Sequence, residues 1–251
     1  MNKTIFILID FDNIFKKSIS DYSLEEFELI IKDIIRDVLS INQSPSQIRI
    51  RFYGGWFKKE ILTSRASILQ QLISSISIFP IIKKDKRTKG SMELATSMYY
   101  YPDYIWTNTF KEKKGITRLR VNQEILPEWC SLNKDQCPAF MLNKFTSKKE
   151  KSCAHEHCEI KNSEVFIGIE QKMVDTMIAC DLITFSQEND IEAVCLFSDD
   201  LDLLPPLGFS SIFKTEKNPN LKVQLFIKNE WQLDLAKQIL RPFDVKITHY
   251  E

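Results

Sequence analysis

The chain has 251 residues and a hydrophobic fraction of 43%, enough for one substantial domain carrying an insertion or for two small domains. Its 34 basic and 34 acidic residues balance, so no overall charge draws it toward nucleic acid or an anionic membrane. Any electrostatic function must therefore come from local clusters of charge.

The amino-terminal region has no pattern typical of a signal peptide. Its apolar run, Ile5 to Ile9, is short and is followed at once by Asp10 and Asp12. No later segment approaches the roughly 20 apolar residues that cross a bilayer. These features predict a soluble, cytoplasmic protein that does not enter a membrane.

The first part of the chain alternates apolar strands with amphipathic helices. Residues 4–9 form a continuous apolar run, typical of a strand buried on both faces. Ser23 and Glu26 have the spacing of a capping box, which predicts a helix start. In chain order, the predicted elements are a strand over 4–9, a helix from 23 through 38, a strand over 48–53, a helix over 61–78, a short strand over 79–82 and a basic loop over 83–89.

The regular alternation stops in the middle of the chain and resumes near residue 165. The elements predicted there are an exposed strand over 116–121, a helix over 172–185, a strand over 193–197, a helix over 203–213, a strand over 222–227, a helix over 230–240 and a strand over 245–248. Strands alternating with helices predict an α/β fold with a mostly parallel sheet. Residues 107–164 are predicted as an insertion into one domain made of residues 1–106 and 165–251.

Acidic residues fall in three clusters, two at the ends of predicted strands and one near the start of a predicted helix. They are Asp10 with Asp12, Asp175 alone, and Asp199 with Asp200 and Asp202. Ligands of an open parallel sheet bind beyond the carboxyl ends of its strands, so we expect the clusters to converge there. A divalent cation would relieve the repulsion between them, and oxygen ligands favour Mg²⁺ or Mn²⁺. For any single pair of acids, a solvated surface is the commoner explanation.

Three segments resemble the signature blocks of the NYN domain family of PIN-like metal-dependent nucleases. Those blocks run D-x-x-N after the first strand, K-x-V-D opening a helix with a later Asp-Leu, and S-x-D-x-D before a helix. Here they read Ile9-Asp10-Phe11-Asp12-Asn13, Lys172-Met173-Val174-Asp175 with Asp181-Leu182, and Phe197-Ser198-Asp199-Asp200-Leu201-Asp202 followed by Pro205. Phe52-Tyr53-Gly54 also resembles the end of the family's second strand. The resemblance covers both flanks of the chain but not residues 107–164.

The resemblance implies a PIN-like three-layer sandwich with a mostly parallel central sheet, and a nuclease that generally cleaves RNA. The residues implied to hold the catalytic Mg²⁺ or Mn²⁺ are Asp10, Asp175, Asp200 and Asp202. Asn13 would be an auxiliary ligand or phosphate contact, and Ser198 would shape its turn. The chain departs from the family pattern at Met173, where a small residue is common, and through the added charges of Asp12 and Asp199.

Asp181 differs from the other matched acids. It lies seven residues after Val174 and four after Met177, so it faces the apolar stripe of the predicted helix. We therefore expect a buried structural carboxylate that supports the site rather than a metal ligand. Lys172, at the start of the same block, either orients a carboxylate, contacts phosphate or is solvated.

The predicted insertion carries a cluster of cysteine and histidine residues. In a cytosolic protein such a cluster is more often a metal site than a set of disulfides. We expect a structural Zn²⁺ that stabilises the insertion, held by Cys130, Cys137, Cys153 and Cys158, with His155 or His157 as a replacement ligand. Since the spacing matches no tight C-x-x-C pair, reduced thiols in a loop are the alternative.

Basic and aromatic residues concentrate beside the insertion. The basic ones are Lys83, Lys84, Lys86, Arg87 and Lys89, then Lys111, Lys113, Lys114, Arg118 and Arg120, and later Lys148, Lys149 and Lys151. The aromatic ones between the first two groups are Tyr99, Tyr100, Tyr101, Tyr104 and Trp106. Such a combination suits single-stranded nucleic acid. The alternative is that the lysine runs lie in solvated loops and that several of the aromatic residues belong to the core.

Two other functions fit parts of the pattern. A haloacid-dehalogenase-like phosphatase resembles the chain in Asp10-Phe11-Asp12 and in Ser198-Asp199-Asp200, although that family places Thr or Val where this chain has Ile14. It also leaves Asp175 without a role. A non-catalytic nucleic-acid-binding module of the same fold is the second alternative. The sequence carries no signal for an oligomeric state or a regulatory partner.

Overall fold

The structure is a computed structural model that describes residues 3–42, 45–83, 86–114, 132, 134–146, 151–153, 157–165, 167–214 and 218–250. The chain divides into two compact units, Met1–Phe110 with Gln171–Glu251, and Lys111–Glu170. The strand predicted over 116–121 lies outside the described residues. No described helix combines the length and apolar character needed to span a bilayer.

The helices and strands alternate along most of the chain. In chain order they are β1 (Thr4–Asp10), α1 (Phe11–Ile14), α2 (Leu24–Ile41), β2 (Gln47–Tyr53), β3 (Phe57–Lys58), β4 (Ile61–Leu62), α3 (Ser64–Ser75), β5 (Ile81–Lys83), β6 (Lys86–Leu94), β7 (Phe110–Lys114), α4 (Pro138–Phe145), α5 (Asn162–Val165), β8 (Ile167–Gln171), α6 (Val174–Ser186), β9 (Ile191–Phe197), α7 (Leu204–Ile212), β10 (Lys222–Ile227), α8 (Glu230–Leu240) and β11 (Val245–His249). Short 3₁₀ turns cover Ile19–Asp21 and Leu201–Leu203.

Within the described part of the first unit, seven strands form a sheet in the order β11-β10-β9-β1-β2-β6-β5. Neighbouring strands are parallel except β5, which pairs antiparallel with β6. The predicted α/β fold with a mostly parallel sheet is therefore confirmed. From β1 the chain first builds outward through β2 and β6, and later builds the other way through β9, β10 and β11. The carboxyl ends of β1 and β9 thus form a topological switch point, where ligands of such sheets bind.

Apolar residues cover both faces of this sheet. Ile5, Ile7 and Ile9 of β1 belong to the core that includes α2 and α3, whereas Phe6 and Leu8 belong to the core that includes α6, α7 and α8. Every residue of β1 is buried, which explains its continuous apolar sequence. Helices on both faces are compatible with a three-layer sandwich.

The predicted capping box is present at the start of α2. The Ser23 side chain accepts from the backbone N–H of Glu26 at 3.1 Å, and the Glu26 carboxylate accepts from the backbone N–H of Ser23 at 3.0 Å. Because this motif depends on four consecutive residues, the sequence alone was sufficient to predict it.

The predicted basic loop over 83–89 is wrong, because most of it belongs to β5 and β6. Inward positions of β6 hold Thr88, Gly90 and Met92, of which only Met92 is a large apolar residue, and the alternating outward positions hold Arg87, Lys89, Ser91 and Glu93. Gly90 is required there, since a Cβ atom would lie 2.3 Å from the Phe79 ring. The helix predicted over 61–78 is also shorter than expected, because β3 and β4 form a small antiparallel hairpin before α3.

The second unit contains the helices α4 and α5 and most of β7 and β8, which pair with each other in a two-stranded sheet. A bridge joins Ser152 to Lys161, and the Cys153 N–H donates to the Ile160 carbonyl at 2.9 Å. Cys153 therefore lies beside this antiparallel bridge, and Cys158 precedes its second side by three residues. Cys137 occupies the N-cap position of α4.

Candidate metal centre

Three of the predicted acidic residues meet at the carboxyl-end edge of the central sheet. Asp10 is the last residue of β1, Asp200 follows the end of β9, and Asp175 lies in the first turn of α6. One oxygen from each carboxylate lies within 4.8 Å of the other two. Within the described ranges, this is the only group of three or more His, Cys, Asp or Glu side chains with that geometry.

Asp10 is the buried member of the group, with 5% of its surface exposed. Its Oδ2 accepts hydrogen bonds from Ser198 Oγ at 2.7 Å and from Asn13 Nδ2 at 2.5 Å. Burial raises the pKa of Asp10 to about 6; these hydrogen bonds oppose the increase, and the charges of Asp175 and Asp12 add to it. The carboxylate is thus held in one orientation at a place where its charge is unfavourable without a cation.

Asp175 is exposed, and no hydrogen bond or ion pair engages its carboxylate in the part of the chain that the structure describes. Burial raises its pKa, and the charges of Asp200 and then Asp202 raise it further. Met173, just before α6, has a left-handed φ of 66°. A non-glycine residue there costs about 1–2 kcal/mol, so backbone strain lies directly beside the cluster.

Ser198 and Asp202 connect the loop after β9 to the cluster. Ser198 Oγ donates to Asp10 and accepts from the backbone N–H of Asp200 at 3.0 Å, so one hydroxyl fixes both acidic loops. Asp200 Oδ1 accepts from the backbone N–H of Asp202 at 2.9 Å. Asp202 lies outside the group of three, yet its charge acts on Asp175, so it remains a candidate fourth ligand.

The two additional aspartates have partners of their own. Both carboxylate oxygens of Asp12 accept from Arg65 Nη2, at 2.7 and 2.9 Å, and Gln171 donates to the same carboxylate. Asp199 Oδ1 accepts from the backbone N–H groups of Lys228 and Asn229, at 2.8 and 3.0 Å. Both acids are thus structural. Sequence reasoning missed Arg65, because nothing in its local sequence marks a partner 53 residues away.

Asp181 is 1% exposed and lies in a buried polar network, which confirms the prediction of a buried carboxylate. Its oxygens accept from the Arg51 guanidinium, from the Tyr53 hydroxyl at 2.6 Å and from the Tyr99 backbone N–H at 3.0 Å. Arg51 also pairs with Glu93 at 2.7 Å. This network joins α6, which carries Asp175, to β2 and to the loop after β6. Arg51 was another residue that sequence reasoning missed.

The predicted zinc ligands lie in the second unit, and two of the six, Cys130 and His155, are outside the described residues. Cys137 is buried, while Cys153 and Cys158 are partly buried and His157 is exposed. These four described residues do not form a group within ligand distance. The zinc site therefore stays a prediction.

The aromatic residues after β6 divide into packed and exposed side chains. The Tyr99 ring contacts Phe6 at 4.9 Å and Phe185 at 5.3 Å, and Trp106 packs against the same core. Tyr101 and Tyr104 are exposed. In the described part of the basic region, Lys86, Arg87 and Lys89 of β6 are exposed, and Lys172 is exposed at the entry to α6. Nucleic-acid contact by this region stays a prediction.

Comparisons with models of protein families, with curated proteins and with solved structures gave no match. Functional assignment therefore depends on the site geometry and on the three sequence blocks.

Proposed function

We propose that the chain is a metal-dependent nuclease with a PIN-like fold that hydrolyses phosphodiester bonds, with single-stranded RNA as the expected substrate. The observation that carries the proposal is the convergence of Asp10, Asp175 and Asp200, none of which has a cationic partner among the described side chains. They meet at the switch point of a parallel sheet, where ligands of this architecture bind.

The donor set fits a hard divalent cation. All three ligands are carboxylate oxygens, with no sulfur or imidazole among them, which favours Mg²⁺ or Mn²⁺ over zinc. Asp10 uses Oδ2 for its hydrogen bonds to Ser198 and Asn13, so Oδ1 is available as a ligand. Asp202 is the proposed fourth acidic residue. When bound, the cation would lower the pKa of a water molecule and neutralise charge on a phosphodiester.

Two arrangements speak against the phosphatase alternative. Asp175 belongs to the acidic group, whereas a phosphatase of that class leaves it without a role. Asp12, the second aspartate of the segment that resembles that class, is held by both oxygens to Arg65. A phosphoenzyme trapped on Asp10 would reverse this preference. The choice of RNA over DNA rests on the resemblance to NYN domains.

The test is a cleavage assay with end-labelled single- and double-stranded RNA and DNA, in Mg²⁺ or Mn²⁺, comparing wild type with Asp200→Asn. We expect Asp200→Asn to lose on the order of 100-fold or more in rate, since removing even an outer partner of a metal ligand costs 10–100-fold. Asp103→Asn, which changes an exposed aspartate after β6, is the control and should cleave like wild type. Binding without turnover in either metal would instead support a non-catalytic module.

A further inference from the structure

Trp231 is the most exposed large hydrophobic residue in the described chain, with 92% of its surface accessible. It lies in the first turn of α8, directly after β10. Indole is one of the largest apolar side chains, and tryptophan is enriched at binding interfaces. Nothing in the fold accounts for this exposure, because α8 contributes Ala236 and Leu240 to the core instead.

The backbone around Trp231 is fixed to the loop that carries the acidic cluster. Asn229 caps α8, with its Oδ1 accepting from the Trp231 N–H at 3.0 Å. Asp199 accepts from the N–H groups of Lys228 and Asn229, and its neighbour in the chain is Asp200. Since β10 pairs directly with β9, the spacing between strands puts the start of α8 on the order of 10 Å from the cluster.

We infer that Trp231 is a stacking site for an unpaired base of the nucleic-acid strand whose phosphate reaches the acidic cluster. This inference rests on the proposed nuclease function and specifies how the substrate binds. Base stacking on an exposed aromatic ring is tolerant of sequence and requires that the base be unpaired. The site therefore selects single-stranded over double-stranded substrate.

The charges around the indole agree with a base rather than a phosphate as its ligand. Glu230 and Asp234 are exposed on either side of Trp231 and repel phosphate groups, but not the uncharged face of a base. Lys228 is exposed next to them and carries its ammonium group 5.8 Å from the Tyr250 ring centroid. It provides a cation for the adjoining phosphate at the same edge of the sheet.

A protein partner is the competing occupant of this surface. Leu235 and Ile239 follow Trp231 at helical spacing and are 41% and 44% exposed, so a stripe of three apolar residues runs along α8. The exposed fraction of Trp231, at the end of α8 next to the acidic cluster, is about twice that of Leu235 and Ile239 farther along the helix. That gradient favours a ligand that extends from the cluster over one that lies along the helix.

The test measures binding of a fluorescein-labelled single-stranded uridine oligonucleotide by fluorescence anisotropy in Mg²⁺, with the full chain carrying Asp200→Asn to prevent turnover. Adding Trp231→Ala should weaken binding about 5- to 150-fold, the range that corresponds to loss of one base stack. Trp231→Phe, which keeps an aromatic ring, should retain most of the affinity. Leu235→Ala is the matched control and should bind like the parent. An abasic nucleotide at the stacked position should weaken binding only where Trp231 is present.

Equal affinities of the Trp231→Ala and Leu235→Ala proteins would overturn the inference. So would self-association, measured by sedimentation, that both substitutions abolish, because the stripe would then be a protein interface. Failure of the nuclease proposal is separately recognisable. If the wild-type chain never cleaves but its binding depends on Trp231, only the nuclease proposal is contradicted. If the chain cleaves and Trp231→Ala leaves KM unchanged, only the stacking site is contradicted.

Discussion

Asp10 is a buried carboxylate surrounded by other acids. Its replacement by asparagine should have opposite effects on the stability of the metal-free fold and on metal binding at the site. Asparagine has the same shape and keeps an oxygen that accepts from Ser198 and Asn13. It removes the negative charge and replaces the second oxygen by an amide NH2 group. We therefore expect Asp10→Asn to stabilise the metal-free protein and to abolish its response to divalent metal.

The size of the effect follows from the pKa of Asp10, which is raised from 3.8 to about 6. At about 1.4 kcal/mol per pH unit, the ionised group costs the fold about 3 kcal/mol at neutral pH. Because the folded-state pKa lies above the unfolded one, the wild-type free energy of unfolding falls as pH rises from about 4 to about 6. The free energy of unfolding of Asp10→Asn should therefore equal that of wild type near pH 3.5 and exceed it by the full amount above pH 7.

The assay is urea unfolding followed by circular dichroism, in chelator and then in Mn²⁺. In chelator at pH 7.5, the midpoint of thermal unfolding should also rise by about 6–12 °C for 3 kcal/mol in a chain of this size. Metal at a hundred times its dissociation constant should stabilise wild type by about 2.7 kcal/mol and the variant hardly at all. Asp103→Asn controls for loss of an exposed charge. If Asp10→Asn is less stable than wild type in chelator, or responds equally to Mn²⁺, the reasoning is refuted.

Three further substitutions or measurements test other parts of the structure. Asp181→Asn should lower the free energy of unfolding by about 3 kcal/mol in urea, since it leaves the Arg51 charge buried without its main partner; a change near zero would contradict the network. Met173→Gly should stabilise the protein by about 0.5–1 kcal/mol by relieving a left-handed residue, whereas Thr176→Gly, inside α6, should destabilise it by about as much. Elemental analysis of protein expressed with ample zinc should give about one zinc per chain, lost in Cys153→Ser; zinc-free wild-type protein would rule out the site.

Much of the central sheet could be predicted because its signals are local. The continuous apolar run of β1 requires burial on both faces, and α2 begins at a capping box formed by neighbouring residues. The acidic clusters could be assigned to one edge of the sheet for a similar reason, since two of them end strands that the pattern predicts to be parallel and Asp175 lies near the start of a predicted helix.

The features that could not be predicted depend on pairings between distant residues. β6 was missed because its first outward positions hold Arg87 and Lys89 and its inward positions hold Thr88 and Gly90, the latter set by the Phe79 ring. The helical pattern predicts that Asp181 is buried, but its partner Arg51 lies 130 residues away and resembles an ordinary surface charge in the sequence. Only the assembled fold buries them together.

The acidic residues of this chain are best sorted by the partners they have in the fold rather than by their place in a motif. Asp12 pairs with Arg65, Asp181 with Arg51, and Asp199 with two backbone N–H groups, so their charges are compensated internally. Burial raises the pKa values of Asp10, Asp175 and Asp181 alike, but only Asp181 has a described cation, Arg51, that opposes the increase. A fold retains such uncompensated charge when a ligand supplies the missing positive charge. Asp10, Asp175 and Asp200 lie close enough together to hold a cation, and this difference in compensation, more than the number of aspartates, is why we propose them as its ligands.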